Sequence, residues 1–145
     1  MSVICNRLLL ASLFFASSAM PSLAQRCKIT FYSRSTSASF EAYVPESVDV
    51  QPEFPGGDNA MVKFINRERQ YPREAYNAGI GGRVLCSFIV MPDGSISNIE
   101  VVRGVEQSID REAVRIISSM PAWKAGRIGS SAVPVYYILP IPFRP

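Results

Sequence analysis

The alternation of apolar and polar residues in the middle of the chain predicts a β-hairpin. The segment from Arg83 to Met91 is rich in β-branched and other apolar residues and is predicted to be the first strand. Pro92-Asp93-Gly94-Ser95 follows, and this composition is typical of a tight turn. The return strand, from Ile96 to Val102 or Arg103, alternates apolar with polar side chains, so one of its faces is expected to contact water.

The helical spacing of apolar residues predicts two helices before this hairpin. Asp58 is expected to cap the first helix, because a short acidic side chain can accept hydrogen bonds from the first N–H groups. The apolar stripe of that helix consists of Met61, Phe64 and Ile65. A short second helix is predicted to begin at Tyr71-Pro72, where proline has no N–H to leave unpaired. It is predicted to end at Gly79, because glycine tolerates the left-handed conformation that terminates helices.

A third helix and a last strand are predicted after the hairpin. Ser108 is expected to cap the helix, and Pro121 is expected to stop it. The predicted buried stripe of the helix consists of Ile109, Ala113, Ile116, Ile117 and Met120. Residues 123–132 are predicted to form a loop, and Val133 to Phe143 the last strand. This order of elements predicts a two-layer α+β domain, in which two or three helices cover one face of a small three-stranded antiparallel sheet.

Three prolines in the last strand indicate which of its sides is paired. Pro134, Pro140 and Pro142 all stand at even positions, and alternate residues of a strand direct their N–H and C=O groups to the same neighbour. Because proline has no N–H, the even-numbered side is expected to be the open edge of the sheet. On that side Tyr136 and Ile138 offer both a donor and an acceptor, which a partner strand could use. Taken alone, the strand pattern favours the alternative that these prolines only block unwanted pairing.

The first 24 residues have the features of a secretory signal peptide. Arg7 precedes an apolar stretch of about 12 residues, and Ser22-Leu23-Ala24 has small residues where a signal peptidase would cleave. The stretch is shorter than the roughly 20 residues that a transmembrane helix needs, and an uncleaved membrane anchor is the alternative. Residues 25–50 are predicted to be a flexible tail, in which residues 28–32 could form a short strand, and residues 51–145 are predicted to be the folded domain.

Charge and composition exclude several classes of function. The chain has 15 Lys and Arg against 12 Asp and Glu, a formal net charge of +3, and its basic residues are scattered, so nothing favours nucleic acid as a partner. It has no histidine, which removes His-based acid–base catalysis and most zinc sites. No nucleophile–base pair is visible, so we expect no enzymatic activity, no cofactor and no metal.

Two of the three cysteines remain if the signal peptide is removed. Cys27 would then lie in the tail and Cys86 in the first strand of the hairpin. A disulfide between them stays open because an exported protein enters a compartment that permits disulfides. The favoured interpretation of Cys86 is nevertheless a small core residue. Trp123 and Phe54 are likewise expected to pack in the core.

A series of short motifs runs from Pro52 to the end of the chain. In order, they are Pro52-Glu53-Phe54-Pro55-Gly56-Gly57, Tyr71-Pro72 with Ala75, Gly79-Ile80 with Gly82-Arg83-Val84, Asp93-Gly94-Ser95-Ile96, Val101-Val102-Arg103-Gly104-Val105, Asp110 with Ala113, Met120-Pro121 with Trp123-Lys124, and Leu139-Pro140-Ile141. Each motif is weak alone. Their order and spacing together resemble the C-terminal domain of TonB-type energy transducers.

The resemblance implies a periplasmic binding module of a two-membrane bacterium. In the family, this domain binds an extended segment near the N-terminus of a TonB-dependent outer-membrane transporter, and the segment adds as a strand to the edge of the last β-strand. An inner-membrane motor of the ExbB–ExbD type powers transport through that contact. The implied partner-binding residues are Tyr136 and Ile138, with Tyr71 and Pro72 nearby. Tyr71 fits a packing role at the start of a helix equally well.

Two departures from the family pattern leave a second interpretation open. A full transducer has a membrane anchor and a long proline-rich linker, whereas the apolar stretch here is short and residues 25–50 reach at most about 85–95 Å when fully extended. The alternative is a soluble periplasmic envelope adaptor or structural protein with the same fold and no energy-transducing role. The motor would be a partner only if the N-terminus remains an inner-membrane anchor. A homodimer through the open edge is also compatible with the pattern.

Overall fold

The computed structural model describes residues 28–32 and 39–145, which form seven strands, three helices and one 3₁₀ turn. The strands are β1 Lys28–Tyr32, β2 Ser39–Tyr43, β3 Gly82–Val90, β4 Ile96–Arg103, β5 Gly126–Ile128, β6 Ser131–Val133 and β7 Val135–Phe143. The helices are α1 Gly57–Glu68, α2 Arg73–Asn77 and α3 Gln107–Ser118, and the 3₁₀ turn is Pro45–Ser47. The α+β class is therefore as predicted.

The main sheet has five strands in the order β1-β2-β7-β3-β4. Its antiparallel part, β4-β3-β7, is the predicted three-stranded sheet, and β7 pairs with β3 from Val135 opposite Val90 to Phe143 opposite Gly82. The prediction of three strands was incomplete, because a β1–β2 hairpin adds to the free side of β7. The pairing of β2 with β7 is parallel and consists of Tyr43 opposite Val135.

The hairpin lies in the segment for which the sequence predicted a flexible tail. Residues 28–32 form a strand, as their pattern indicated, but Ser39–Tyr43 and Pro45–Ser47 are also regular structure. Ala42 is fully buried, so β2 is part of the packed structure. The assignment of residues 25–50 to a tail was therefore wrong for these parts, while the expected signal peptide lies outside the described residues.

The core lies between one face of the sheet and the helices. The buried stripe of α3 is as predicted, except that Met120 is only partly buried. The buried apolar residues of this cluster are Phe54, Met61, Ile65, Ala75, Val84, Cys86, Phe88, Val90, Ile109, Ala113, Ile116, Ile117, Trp123, Leu139, Ile141 and Phe143. Each large aliphatic side chain buried in this way contributes about 1.5–3 kcal/mol, so this layer holds β7 firmly against the helices.

The N-termini of two helices differ from the prediction. Gly56, in the left-handed region at φ 88°, occupies the N-cap position of α1, and Asp58 lies inside the first turn, where a negative charge suits the helix dipole. At α3 the carboxylate of Glu106 accepts hydrogen bonds from the N–H groups of Ser108 at 2.9 Å and Ile109 at 3.4 Å. The predicted cap at Ser108 was wrong because the helix begins at Gln107 and the side chain of Glu106 occupies the N-cap position.

Trp123 begins a segment that the sequence assigned to a loop. The structure instead shows the small β5–β6 hairpin, which runs from Gly126 to Val133. Trp123 is only 5% exposed, and its ring makes edge contacts with Phe54, Phe88 and Tyr137 at centroid distances of 5.8, 5.5 and 5.2 Å. The predicted core roles of Trp123 and Phe54 are therefore confirmed.

Cys86 is a buried free thiol, as the favoured interpretation predicted. Desolvation, with a smaller contribution from the charge of Asp110, raises its pKa to about 11. The expected alternative partner, Cys27, lies outside the described residues. Within residues 28–32 and 39–145, no helix is both long enough and apolar enough to cross a bilayer.

Candidate partner-binding edge

The candidate site is the side of β7 that faces away from β3, which we call the β7 flank and which runs from Pro134 to Pro142. Two hydrogen bonds show which residues of β7 direct their backbone groups to this side. The N–H of Tyr43 donates to the carbonyl oxygen of Pro134 at 2.9 Å, and the guanidinium of Arg69 donates to the carbonyl oxygen of Pro142 at 2.7 Å. Both acceptors belong to even-numbered residues, so the even-numbered side is turned away from β3, as the proline pattern predicted.

Strand β2 closes only the first end of the β7 flank. A parallel ladder would next need an N–H from residue 45, but Pro45 has none and starts a 3₁₀ turn. The carbonyl oxygen of Val44 is taken by Ser47, whose N–H and Oγ donate to it at 3.0 and 2.9 Å. Strand pairing with β7 therefore ends at Tyr43. The prediction that Tyr136 lies on an open edge needs correction, because Tyr136 adjoins this bridge and is already engaged.

Arg69 closes the other end of the β7 flank, from the loop that joins α1 to α2. This loop is held by α3: Gln70 N–H donates to Glu112 Oε1 at 2.7 Å, and Arg115 Nη2 donates to the carbonyl oxygen of Glu68 at 2.5 Å. Arg115 also binds Glu112 through both Nε, at 2.8 Å, and Nη2, at 2.7 Å. The guanidinium at the flank is thus positioned by a loop with two anchors.

Glu112 is the buried charge that fixes this loop. Burial by itself would raise the pKa of Glu112, but the hydrogen bonds from Arg115 and from the N–H of Gln70 outweigh desolvation, and the pKa is lowered. The carboxylate is therefore charged at neutral pH. Because Arg115 is 42% exposed while Glu112 is 10% exposed at its side chain, the pair sits at the boundary between core and solvent.

The middle of the β7 flank lies between these two ends. Ile138 has a side chain that is 47% exposed, whereas Leu139 and Ile141 point into the core. Within the described residues, no strand pairs with this side of β7 after Val135. The backbone of Ile138 and the carbonyl of Pro140 are therefore presented on a short stretch of strand whose other face is rigidly packed.

The structure places Tyr71 and Pro72 away from this middle stretch. The Tyr71 hydroxyl donates to the carbonyl oxygen of Ile80 at 2.5 Å, and its ring makes an edge contact with Phe143 at 5.9 Å. Pro72 occupies the N-cap position of α2, so the helix begins at Arg73, one residue after the predicted first helical position. Phe143 is five residues from Ile138, roughly 16 Å along a strand. Tyr71 therefore packs at the far end of β7, on the core side.

Three residues that shape the flank were not predicted from the sequence. Tyr43 and Arg69 close its two ends, and Pro45 limits how far β2 can pair. A usable signal existed for Pro45, since it ends the alternating segment 39–43. Tyr43 and Arg69 act through a single backbone contact each, for which a sequence pattern has no signature. Among the described residues, no group of acidic residues and cysteines is arranged to hold a metal ion.

Comparison with known proteins identifies the family. The sequence profile of the "Gram-negative bacterial TonB protein C-terminal" family matches residues 67–145. The chain is similar to two solution structures of the Helicobacter pylori TonB C-terminal domain. The structure of residues 194–285 is 27% identical and aligns over 59% of this chain and 89% of that one, with a TM-score of 0.46. The structure of residues 179–285 is 28% identical and aligns over 63% and 86%, with a TM-score of 0.46. A search of curated proteins gives no match.

The chain belongs to the TonB C-terminal domain family, since the match covers more than half of its length. This is a non-catalytic, periplasmic and transport-related family whose members interact with outer-membrane transporters. The matched region contains α2, α3 and strands β3 to β7. The β1–β2 hairpin and the 3₁₀ turn lie outside it.

Proposed function

We propose that this chain is a periplasmic binding module that pairs, by strand addition along the β7 flank, with the N-terminal segment of a TonB-dependent outer-membrane transporter, in energy-coupled transport. The observation that carries the proposal is the stretch around Ile138, where a rigidly packed strand offers its backbone between two closed ends. Membership in the family supports the class of partner.

The geometry of the flank supports a short added strand. An incoming segment can bond the N–H and C=O of Ile138 and the C=O of Pro140, and each such bond contributes a net 0.5–1.5 kcal/mol, or roughly 1.5–4.5 kcal/mol together. The exposed Ile138 side chain adds an apolar contact on the outer face of the sheet. Backbone pairing of this kind gives affinity, and the side chains beside the strand give specificity.

The experiment compares two substitutions of the same chemistry. In Ile138→Asp, a carboxylate stands beside the flank, and we expect at least a tenfold loss of affinity for a synthetic peptide that copies a transporter N-terminal segment, by calorimetry. Val62→Asp is the matched control, because Val62 is 53% exposed but lies on α1. Both variants should unfold at temperatures close to wild type. Equal affinity for Ile138→Asp and wild type would rule out the edge site.

Energy coupling depends on the N-terminus, which lies outside the described residues. We propose that residues 1–24 are a signal peptide and that the mature chain acts in the periplasm. Cell fractionation tests this directly. Retention of the full-length chain in the inner membrane would point instead to an anchored transducer in contact with an ExbB–ExbD-type motor. Release together with failure to bind any transporter peptide would favour the envelope adaptor.

A further inference from the structure

We infer that β2 is a built-in competitor that occupies the first end of the β7 flank and must release Pro134 before a partner strand can pair along the full flank. The inference rests on the proposed function, because it concerns regulation of the same edge. It adds an element that the family match does not contain, since that match begins at residue 67 and β2 ends at Tyr43.

Strand β2 lies beside the first end of the β7 flank. It runs parallel to β7, and its Tyr43 N–H donates to the carbonyl oxygen of Pro134 at 2.9 Å. The 3₁₀ turn that follows, Pro45–Ser47, also lies against β7. A partner strand that extended beyond Ile138 toward the start of β7 would need the same acceptor and the same space.

Strand β2 forms few hydrogen bonds on its β7 side. Its pairing with β7 is a single residue pair, and Pro45 lacks the N–H that would lengthen the ladder. With β1, in contrast, it pairs along its whole length, from Ser39 opposite Tyr32 to Tyr43 opposite Lys28. Loss of the single β2–β7 pair would therefore leave the pairing between β1 and β2 intact.

The segment that follows β2 keeps it tethered after release. The N–H groups of Asp49 and Val50 donate to the carbonyl oxygen of Arg127 at 2.9 and 3.0 Å, and the Arg127 N–H donates back to Val50 at 2.9 Å. Gly129 N–H donates to the Asp49 carboxylate at 2.7 Å. These hydrogen bonds keep the hairpin attached close to β7 after release, which gives it a high effective concentration at the β7 flank. A tethered strand lowers partner affinity without blocking the partner.

The test uses substitutions that move the competition in opposite directions. Tyr43→Pro removes the N–H that donates to the carbonyl oxygen of Pro134, so β2 no longer competes with the partner strand for this acceptor. Because one net hydrogen bond of ordinary strength is lost from the competing contact, affinity for the transporter peptide should rise roughly fivefold. Tyr43→Ala is its control, because it keeps this N–H and loses only the ring. Pro45→Ala supplies the missing N–H, so the ladder can lengthen and peptide affinity should fall. Glu46→Ala, at an exposed position of the same turn, should bind like wild type.

Amide hydrogen exchange in the full chain gives a second readout that does not depend on variant folding. The Tyr43 amide should be protected in the free chain and should lose protection when saturating peptide is added. Two results would contradict the competition by β2 while leaving the edge site intact. One is equal peptide affinity of wild type, Tyr43→Pro and Pro45→Ala, and the other is a Tyr43 amide that stays protected in the complex. Absence of peptide binding by all variants would overturn the proposed function, and the competitor with it.

Discussion

Replacement of Glu112 by Gln tests how the loop that carries Arg69 is held. The Glu112 carboxylate accepts hydrogen bonds from Gln70 N–H and from two nitrogens of Arg115. A Gln side chain keeps one acceptor oxygen but turns an NH₂ group toward Arg115, so at least one charge-assisted hydrogen bond is lost, worth about 1.5–3 kcal/mol. Because Arg115 is 42% exposed, water screens part of its interaction with residue 112, and we expect the free energy of unfolding to fall by about 1.5–2 kcal/mol.

The assay is thermal and urea unfolding of both proteins between pH 7 and pH 3. A loss of this size lowers Tm by roughly 5–10 °C for a domain near this length. The pKa of Glu112 is lowered in the folded state, so its stabilisation is present above the unfolded pKa and is lost as the pH falls through the folded pKa. The difference in free energy of unfolding between the variant and wild type should therefore become smaller toward pH 3.

The control is Arg67→Gln, which breaks an ion pair whose Arg67 side chain is 72% exposed. It should change stability by less than about 0.5 kcal/mol. A Glu112→Gln variant as stable as wild type at pH 7, or a stability gap that stays constant down to pH 3, would refute this account of the loop.

Three further predictions concern the turn, the thiol and the flank. Gly94→Ala should lower the free energy of unfolding in urea by at least about 2 kcal/mol, since φ is +87° and the added Cβ would clash with the Trp123 carbonyl oxygen. Gly129→Ala, with φ +59° and open space around it, should lower it by only about 1 kcal/mol. Cys86 should resist alkylation in the folded state at pH 8, since its pKa is about 11, and mass-spectrometric detection of rapid labelling would contradict its burial. Arg69→Ala should free the Pro142 carbonyl and raise the hydrogen-exchange rates of the 69–72 loop, and unchanged rates would show that the contact does not order that loop.

Sequence patterns predicted the parts of this fold that depend on repeated, local signals. The stripe of α3 and the β3–β4 hairpin follow from periodicity, because burial of a whole face requires it. The paired side of β7 followed from a purely covalent fact, the missing N–H of three prolines. In each case several residues carry the same information.

The rest depended on single long-range contacts that leave no repeat in the sequence. One bridge, Tyr43 opposite Val135, places β2 beside β7 and makes the sheet mixed. Glu106 takes the capping role expected of Ser108, because side-chain reach decided the cap and the residue type did not. For the candidate site, Ile138 is exposed on the predicted edge, whereas Tyr71 faces the core and Arg69 was not foreseen.

The most direct test of strand addition is the exchange rate of the Ile138 amide in the isotopically labelled full chain, with and without a saturating transporter peptide. This amide, which faces the β7 flank, is expected to exchange readily in the free chain and to become strongly protected in the complex. Tight binding of the peptide with no gain of protection at Ile138 would contradict it.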